Sequence, residues 1–346
     1  MSELIAYLKG HWRIVAIIAG GALLVISIGS FLILAGMRSK SMAQAPAAGA
    51  NANANVNAPG AAAAVKTYAG LYAVSIDNQV DARPAAGINQ AAFVYEAPVE
   101  GGITRFLAFF ERGAQAPTIG PVRSARLYFL DWVAAWGVGA FFHFGGSPEA
   151  IAKIAATPSL HDIDEDGTLS GGSLFRRDAT RLAPHNAYTA SDEADKTVFA
   201  QAGTISTSAW LMEDEPDISA RGADGGKVMP GLSTDPAYNP IWVYSSATNI
   251  YTRTIKGQVE KDASGAPITA KNIVVMSADV STIDGVGRLK IGTSGSGVAI
   301  IYRNGQSEDA TWNEFTDKVG PPVFTTAKGA AAVLTNGNVW IEVVKK

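Results

Sequence analysis

Residues 92–110, AFVYEAPVEGGITRFLAFF, carry the pattern from which the fold of this chain is read. AFVYEA (92–97) and ITRFLAFF (103–110) are short apolar runs rich in aromatic residues, the signature of buried strands. Val99-Glu100-Gly101-Gly102 between them reads as a tight connection. Upstream, LYAVSI (71–76) predicts another strand, ending at Asp77-Asn78. Downstream, Leu127, Leu130, Val133 and Ala134 fall on one face of a helix expected over 125–136 and capped by Ser124. VGAFFHF (138–144) predicts a strand running into Gly145-Gly146, and then a helix opened by Ser147 and Pro148. Residues 157–188 read as a long ordered loop and 191–201 as a short helix.

This alternation makes 67–235 an expected mixed α/β domain. From about residue 237 the texture changes. Short β-rich runs at 241–245, 249–254, 272–278, 298–303 and 338–344 are separated by turns such as Asn304-Gly305 and Asn336-Gly337. Residues 236–346 are therefore expected to form a mostly β domain. The predicted class is α+β, preceded by a single transmembrane helix.

That helix is read from Ile14–Met37, IVAIIAGGALLVISIGSFLILAGM, which holds no charge in 24 residues. As a helix it would span roughly 36 Å, enough to cross a hydrocarbon core of ~30 Å. The run is longer than the h-region of a signal peptide, although Ala43-Gln44-Ala45 is an A-x-A-like cleavage site. Residues 1–13 are read as a short cytoplasmic tail and 38–66, rich in Ala, Asn and Pro, as a disordered linker. The expectation is a single-pass cell-membrane protein, N-in, with its globular region outside the cytoplasm.

The chain has 346 residues, 47% of them hydrophobic, so a sizeable core is within reach. It contains no cysteine, which excludes disulfides, thiolate metal sites, a cysteine nucleophile and a lipid-modified cysteine. Residues 1–66 hold five basic residues against Glu3, leaving 23 basic and 30 acidic in 67–346, a net charge of −7. Nucleic acid is not an expected partner of such a domain.

Several strings resemble the YerB-like family of bacterial proteins, whose paired N- and C-terminal domains have no assigned function. They include Glu100-Gly101-Gly102-Ile103-Thr104-Arg105-Phe106, Ile119-Gly120-Pro121-Val122-Arg123-Ser124-Ala125-Arg126, His143-Phe144-Gly145-Gly146-Ser147-Pro148 and Ala183-Pro184-His185-Asn186. Further matches are Ile76-Asp77-Asn78, Val94-Tyr95-Glu96, Tyr251-Thr252-Arg253 and Val339-Trp340-Ile341. The resemblance covers nearly all of 70–345 and implies an extracytoplasmic envelope protein. Many members look like lipoproteins held through a cysteine, from which this chain departs.

The densest polar set is Arg105, Arg123, Arg126, Glu96, Glu100 and His143, at or near predicted strand ends and helix starts. Together with Asp77, Asn78, His185, Asn186 and the backbone N–H groups of Gly145, Gly146 and Ser147, it suggests a pocket for an anionic ligand. An envelope glycan or cell-wall fragment would suit it, and a neighbouring membrane protein is a further candidate partner. The competing reading is that the arginines pair with Glu96, Glu100 and Asp131 to hold loops. Glu96, Glu100 and His143 are the candidates for acid–base chemistry, which would make the chain an envelope hydrolase. Ser147 sits in an echo of a nucleophile elbow, but an N-cap role accounts for it. Asp162, Asp164 and Asp166 open a calcium-type loop, yet Ser173 stands where a bidentate Glu belongs, so an acidic turn is the alternative. Apart from calcium, no cofactor is implied.

Overall fold

The computed structural model describes residues 63–158, 160, 162–164, 174–201, 206–314 and 320–346. The transmembrane helix expected at 14–37 lies outside these residues, as does the linker up to residue 62. No helix among the described residues is long and apolar enough to cross a membrane.

Residues 58–346 form one compact unit built on a ten-stranded sheet. Its strands, in chain order, are β1 (Leu71–Asp77), β2 (Phe93–Pro98), β3 (Thr104–Glu111), β4 (Ala140–Phe142), β5 (Asp162–Ile163), β6 (Asn272–Ala278), β7 (Gly295–Arg303), β8 (Gln306–Glu314), β9 (Val323–Thr326) and β10 (Val339–Lys345). Across the sheet they run β9-β8-β7-β6-β10-β2-β3-β1-β4-β5. The strand β10 lies at the join, pairing in parallel with β6 on one side and β2 on the other. The two regions expected from the sequence, 67–235 and 236–346, thus share one sheet.

The strands read from 92–110 form the antiparallel pair β2–β3, joined by the tight connection at 99–102. Because side chains alternate along a strand, this pair serves two cores. On one face Tyr95, Leu107 and Phe109 pack against helix α1 (Leu127–Trp136). Trp132 stacks on Tyr95 with ring centroids 4.7 Å apart, and Trp136 donates its indole N–H to the Tyr95 hydroxyl at 3.0 Å. On the other face Val94, Phe106, Ile273 and Trp340 meet Trp242, Tyr244 and Tyr251 of a small antiparallel sheet centred on Ile241–Ser245 and Ile250–Ile255.

The strand–helix alternation expected of the first region runs through β3, α1, β4, α2 (Pro148–Ala155) and β5, with β1, β4 and β5 parallel neighbours. The whole unit is mostly β with few helices, namely α1, α2 and α3 (Ser191–Gln201) among the described residues. Helical periodicity was present, but hairpin pairing of the aromatic runs decides the architecture. The linker expected to reach residue 66 ends earlier, since Ala64–Ala69 is a strand paired with Ser206–Glu213. Val65, Thr67 and Tyr68 are strand formers, and the enclosed Tyr68 ring anchors them beside Phe93.

Candidate functional site

The alternation within β1–β3 divides the polar set that the sequence placed together. Asp77 and Arg105 are directly opposite on β1 and β3, facing α1. Glu96 points from β2 to the other face, as does its register partner on β3, Phe106.

On the α1 side three arginines converge. Arg105 is nearly enclosed, donates from Nη1 to the Ser124 carbonyl at 3.0 Å, and leaves its buried Nε–H without a partner. Arg123 Nε stands 3.0 Å from Asp77 Oδ2, but its N–H is not aligned with an acceptor. Arg126 grips Glu100 Oε2 with Nε at 3.1 Å and Nη2 at 2.6 Å. His185 Nδ1 reaches the same Asp77 oxygen at 2.7 Å. Burial, followed by the charges of Arg126 and Arg123, pushes Arg105 down to about 10, with Asp77 opposing. It therefore stays cationic at neutral pH. Burial alone would raise Glu100, but the hydrogen bond and charge of Arg126 bring it below its ordinary value.

Three guanidinium groups thus face two carboxylates, Asp77 and Glu100. The start of α1 adds to the positive field, since no side chain caps its first turn. A partly buried surplus cation with an idle N–H is suited to receive an anion. Ser124, expected as the cap of α1, instead donates its hydroxyl to the Phe144 carbonyl at 3.1 Å, tying the segment that carries Arg123 and Arg126 to the end of β4.

Glu96 is wholly enclosed. It accepts from Asn78 Nδ2 at 3.1 Å, from the Thr104 hydroxyl at 2.6 Å, and from Arg253 through both oxygens. This geometry gives it no access to a substrate. His143 is also enclosed, hydrogen-bonded through Nε2 to Asp162 and through Nδ1 to the Gly145 carbonyl at 2.8 Å. Burial would lower its pKa, but the hydrogen bond and charge of Asp162, together with Asp164, raise it overall.

Asp164 accepts the Gly145 N–H at 2.7 Å, and Ser147 donates its N–H to the Ala125 carbonyl at 3.2 Å. Two of the N–H groups expected to meet an anion are therefore engaged within the chain. The Ser147 hydroxyl accepts from Ala150 N at 3.3 Å, the N-cap arrangement read from the sequence. A Cβ at Gly146 would come 2.8 Å from the terminal methyl of Ile151, so a side chain there would require that methyl to move. Asn186 organises the loop before β-strand Ala187–Tyr188, donating to the carbonyls of Asp178 and Arg181 and accepting from Arg177. Asp162 and Asp164 are thus tied to His143 and Gly145, while Asp166 lies outside the described residues.

Sequence reasoning missed the second charged centre. Arg253 is wholly buried and pairs with Glu96, with Glu260 at 2.6 Å, and more distantly with Glu342 at 3.9 Å. Its guanidinium lies 5.5–5.6 Å from the ring centres of Phe106, Trp242 and Trp340. The available signal was a charge at an inward position of two apolar runs, IYTRTI and VWIEVV.

Residues 59–204 match the N-terminal domain, and residues 232–341 the C-terminal domain, of a protein of unknown function, DUF3048. A curated relative, "Putative lipoprotein YerB" of Bacillus subtilis (strain 168), is 29% identical over 277 residues, covering 79% of this chain and 80% of that protein. The crystal structure of the Bacillus subtilis YerB protein superposes with a TM-score of 0.66 at 27% identity, over 80% of this chain and 91% of the other.

Proposed function

This chain belongs to the DUF3048 family of unknown function, and from that premise we propose that it is a membrane-associated, extracytoplasmic envelope protein whose globular unit binds an anionic ligand. The naming of the Bacillus subtilis relative as a lipoprotein supports the location. This chain has no cysteine to carry a lipid, and the uncharged run 14–37 supplies an alternative attachment. The globular unit would then be held at the outer face of the membrane.

The observation that carries the binding reading is the surplus cation at Arg105, Arg123 and Arg126, with a buried Arg105 N–H unused. Phosphate or carboxylate groups match the planar guanidinium donors. A phosphorylated glycan or acidic cell-wall fragment is the ligand class that such a surface would meet outside the cell. The hydrolase alternative has less support, since Glu96 is enclosed and Glu100 is held by Arg126.

The test is thermal unfolding of the full chain in detergent, titrated with inorganic phosphate and with a phosphate-bearing glycan at constant ionic strength. Wild type should be stabilised saturably, and the Arg123→Gln/Arg126→Gln variant should not respond. Equal responses from both would overturn the reading.

A further inference from the structure

We propose that the arginine cluster is also a catalytic site, in which His185 Nε2 is the nucleophile that takes the phosphoryl group of a phosphate monoester. This role rests on the anion-binding reading and deepens it, with a group other than the carboxylates considered for hydrolysis.

Asp77 fixes the geometry. It is 1% exposed, and its Oδ1 accepts the Gln79 N–H at 3.0 Å. Its Oδ2 lies 2.7 Å from His185 Nδ1 and 3.0 Å from Arg123 Nε. A carboxylate oxygen only accepts, so Nδ1 carries a proton and the neutral ring presents its lone pair at Nε2. Both side chains are open at their far ends, His185 being 17% and Arg123 21% exposed. Among the described residues, neither His185 Nε2 nor the Nη groups of Arg123 have a hydrogen-bond partner, and none of these atoms is sealed from solvent. A nucleophile and a planar two-pronged donor, seated on one oxygen, thus face solvent side by side. Arg105 adds its charge and an unused N–H from within.

The backbone holds these groups in register. Val122 N donates to the Ala187 carbonyl at 2.7 Å, and Asp77 N to the Pro121 carbonyl at 2.8 Å. Arg181, in the loop before His185, donates to the Ala82 carbonyl at 2.7 Å. The segments bearing Asp77, Arg123 and His185 are therefore pinned to one another, which is the preorganisation a nucleophile needs.

The transfer balances in two steps. The Nε2 lone pair forms an N–P bond as the P–O bond to the alcohol breaks, and the leaving oxygen keeps that bonding pair and takes a proton from water. A second water then attacks phosphorus, the N–P pair returns to Nε2, and inorganic phosphate departs. The guanidinium groups offset charge on the transferring oxygens. Asp77 is the positioning residue, and it balances the positive charge that the phosphorylated ring carries.

The full chain in detergent, supplied with p-nitrophenyl phosphate, tests this, because nitrophenolate departs without an acid. Wild type should release nitrophenolate with saturation, and peptide mass spectrometry after an alkaline quench should find a phosphoryl group on His185. His185→Gln should abolish both and keep the thermal stabilisation by inorganic phosphate. Asp77→Asn should keep that stabilisation and slow release about a hundredfold or more, with near-ultraviolet circular dichroism verifying the fold of both variants. Phosphate stabilisation of wild type with no phosphoryl group on His185, or wild-type release from His185→Gln, would overturn the catalytic role alone. Absence of any phosphate response in wild type would overturn it together with the anion-binding reading.

Discussion

Arg253 and Glu96 meet as a two-pronged ion pair from which solvent is excluded, with Nη1 2.7 Å from Oε2, Nη2 3.2 Å from Oε1, and both side chains 0% exposed. One residue belongs to the small sheet and the other to β2, so the pair bolts the small sheet onto the large one. Desolvation of both ions offsets most of their attraction, and the pair contributes chiefly by making any other docking expensive.

Breaking the pair from one side should therefore be costly. Arg253→Met leaves Glu96 enclosed and without its cation, at a loss of about 3–5 kcal/mol. Combining it with Glu96→Gln should recover part of that loss. Chemical unfolding of the two variants against wild type measures both effects, and a combined variant no more stable than Arg253→Met would contradict this account.

Glu342 gives the stability a pH dependence of defined sign. Burial, and then the charge of Glu96, raise it well above its ordinary value of 4.5, with Arg253 pulling the other way. An acid whose pKa is higher in the folded state favours folding most below its unfolded value. That contribution is lost as pH rises through the folded value. The unfolding temperature should thus decline with pH above about 4.5. Glu342→Gln keeps an acceptor for the Trp242 indole and should flatten the decline, leaving the variant more stable than wild type at pH 8. An unchanged slope would exclude Glu342 as its source.

His143 should add a second slope of the same sign at higher pH. Its pKa is raised above 6.5 by Asp162 and Asp164 against the effect of burial. Its contribution is complete below the unfolded value and disappears as pH rises through the folded one. Asp162→Asn should remove this portion while leaving the Glu342 portion intact. Proton resonance of the imidazole across the same range distinguishes the two.

Much of the architecture was legible in the apolar runs. β1, β2, β3, β6 and β10 fall within a residue or two of where their periodicity placed them, and Ser147 followed by Pro148 marked the start of α2. The site was less legible, because a sequence records which face a residue shares with its neighbours but not what covers that face. Arg105 and Glu96 lie nine positions apart, and the strand period sends them to opposite sides of the sheet. Glu96 is enclosed by Arg253, 157 positions away, which no local pattern could supply. The arginines near 123 came together for a legible reason, since one segment carries two of them past the end of β1, opposite the start of β3 where Arg105 lies.

The position of Val339–Lys345 between β6 and β2 has a consequence for assembly. Every other strand of the large sheet precedes it in the chain, yet it is the strand through which the two halves of that sheet hydrogen-bond. Until it arrives, β6–β9 and β1–β5 have no common edge, and β2 and β6 each expose an unpaired row of backbone groups. Closing the sheet requires contacts of high sequence separation, which form slowly. A chain threaded outward through a membrane from its N-terminal side would thus complete this fold only after nearly all of it had crossed.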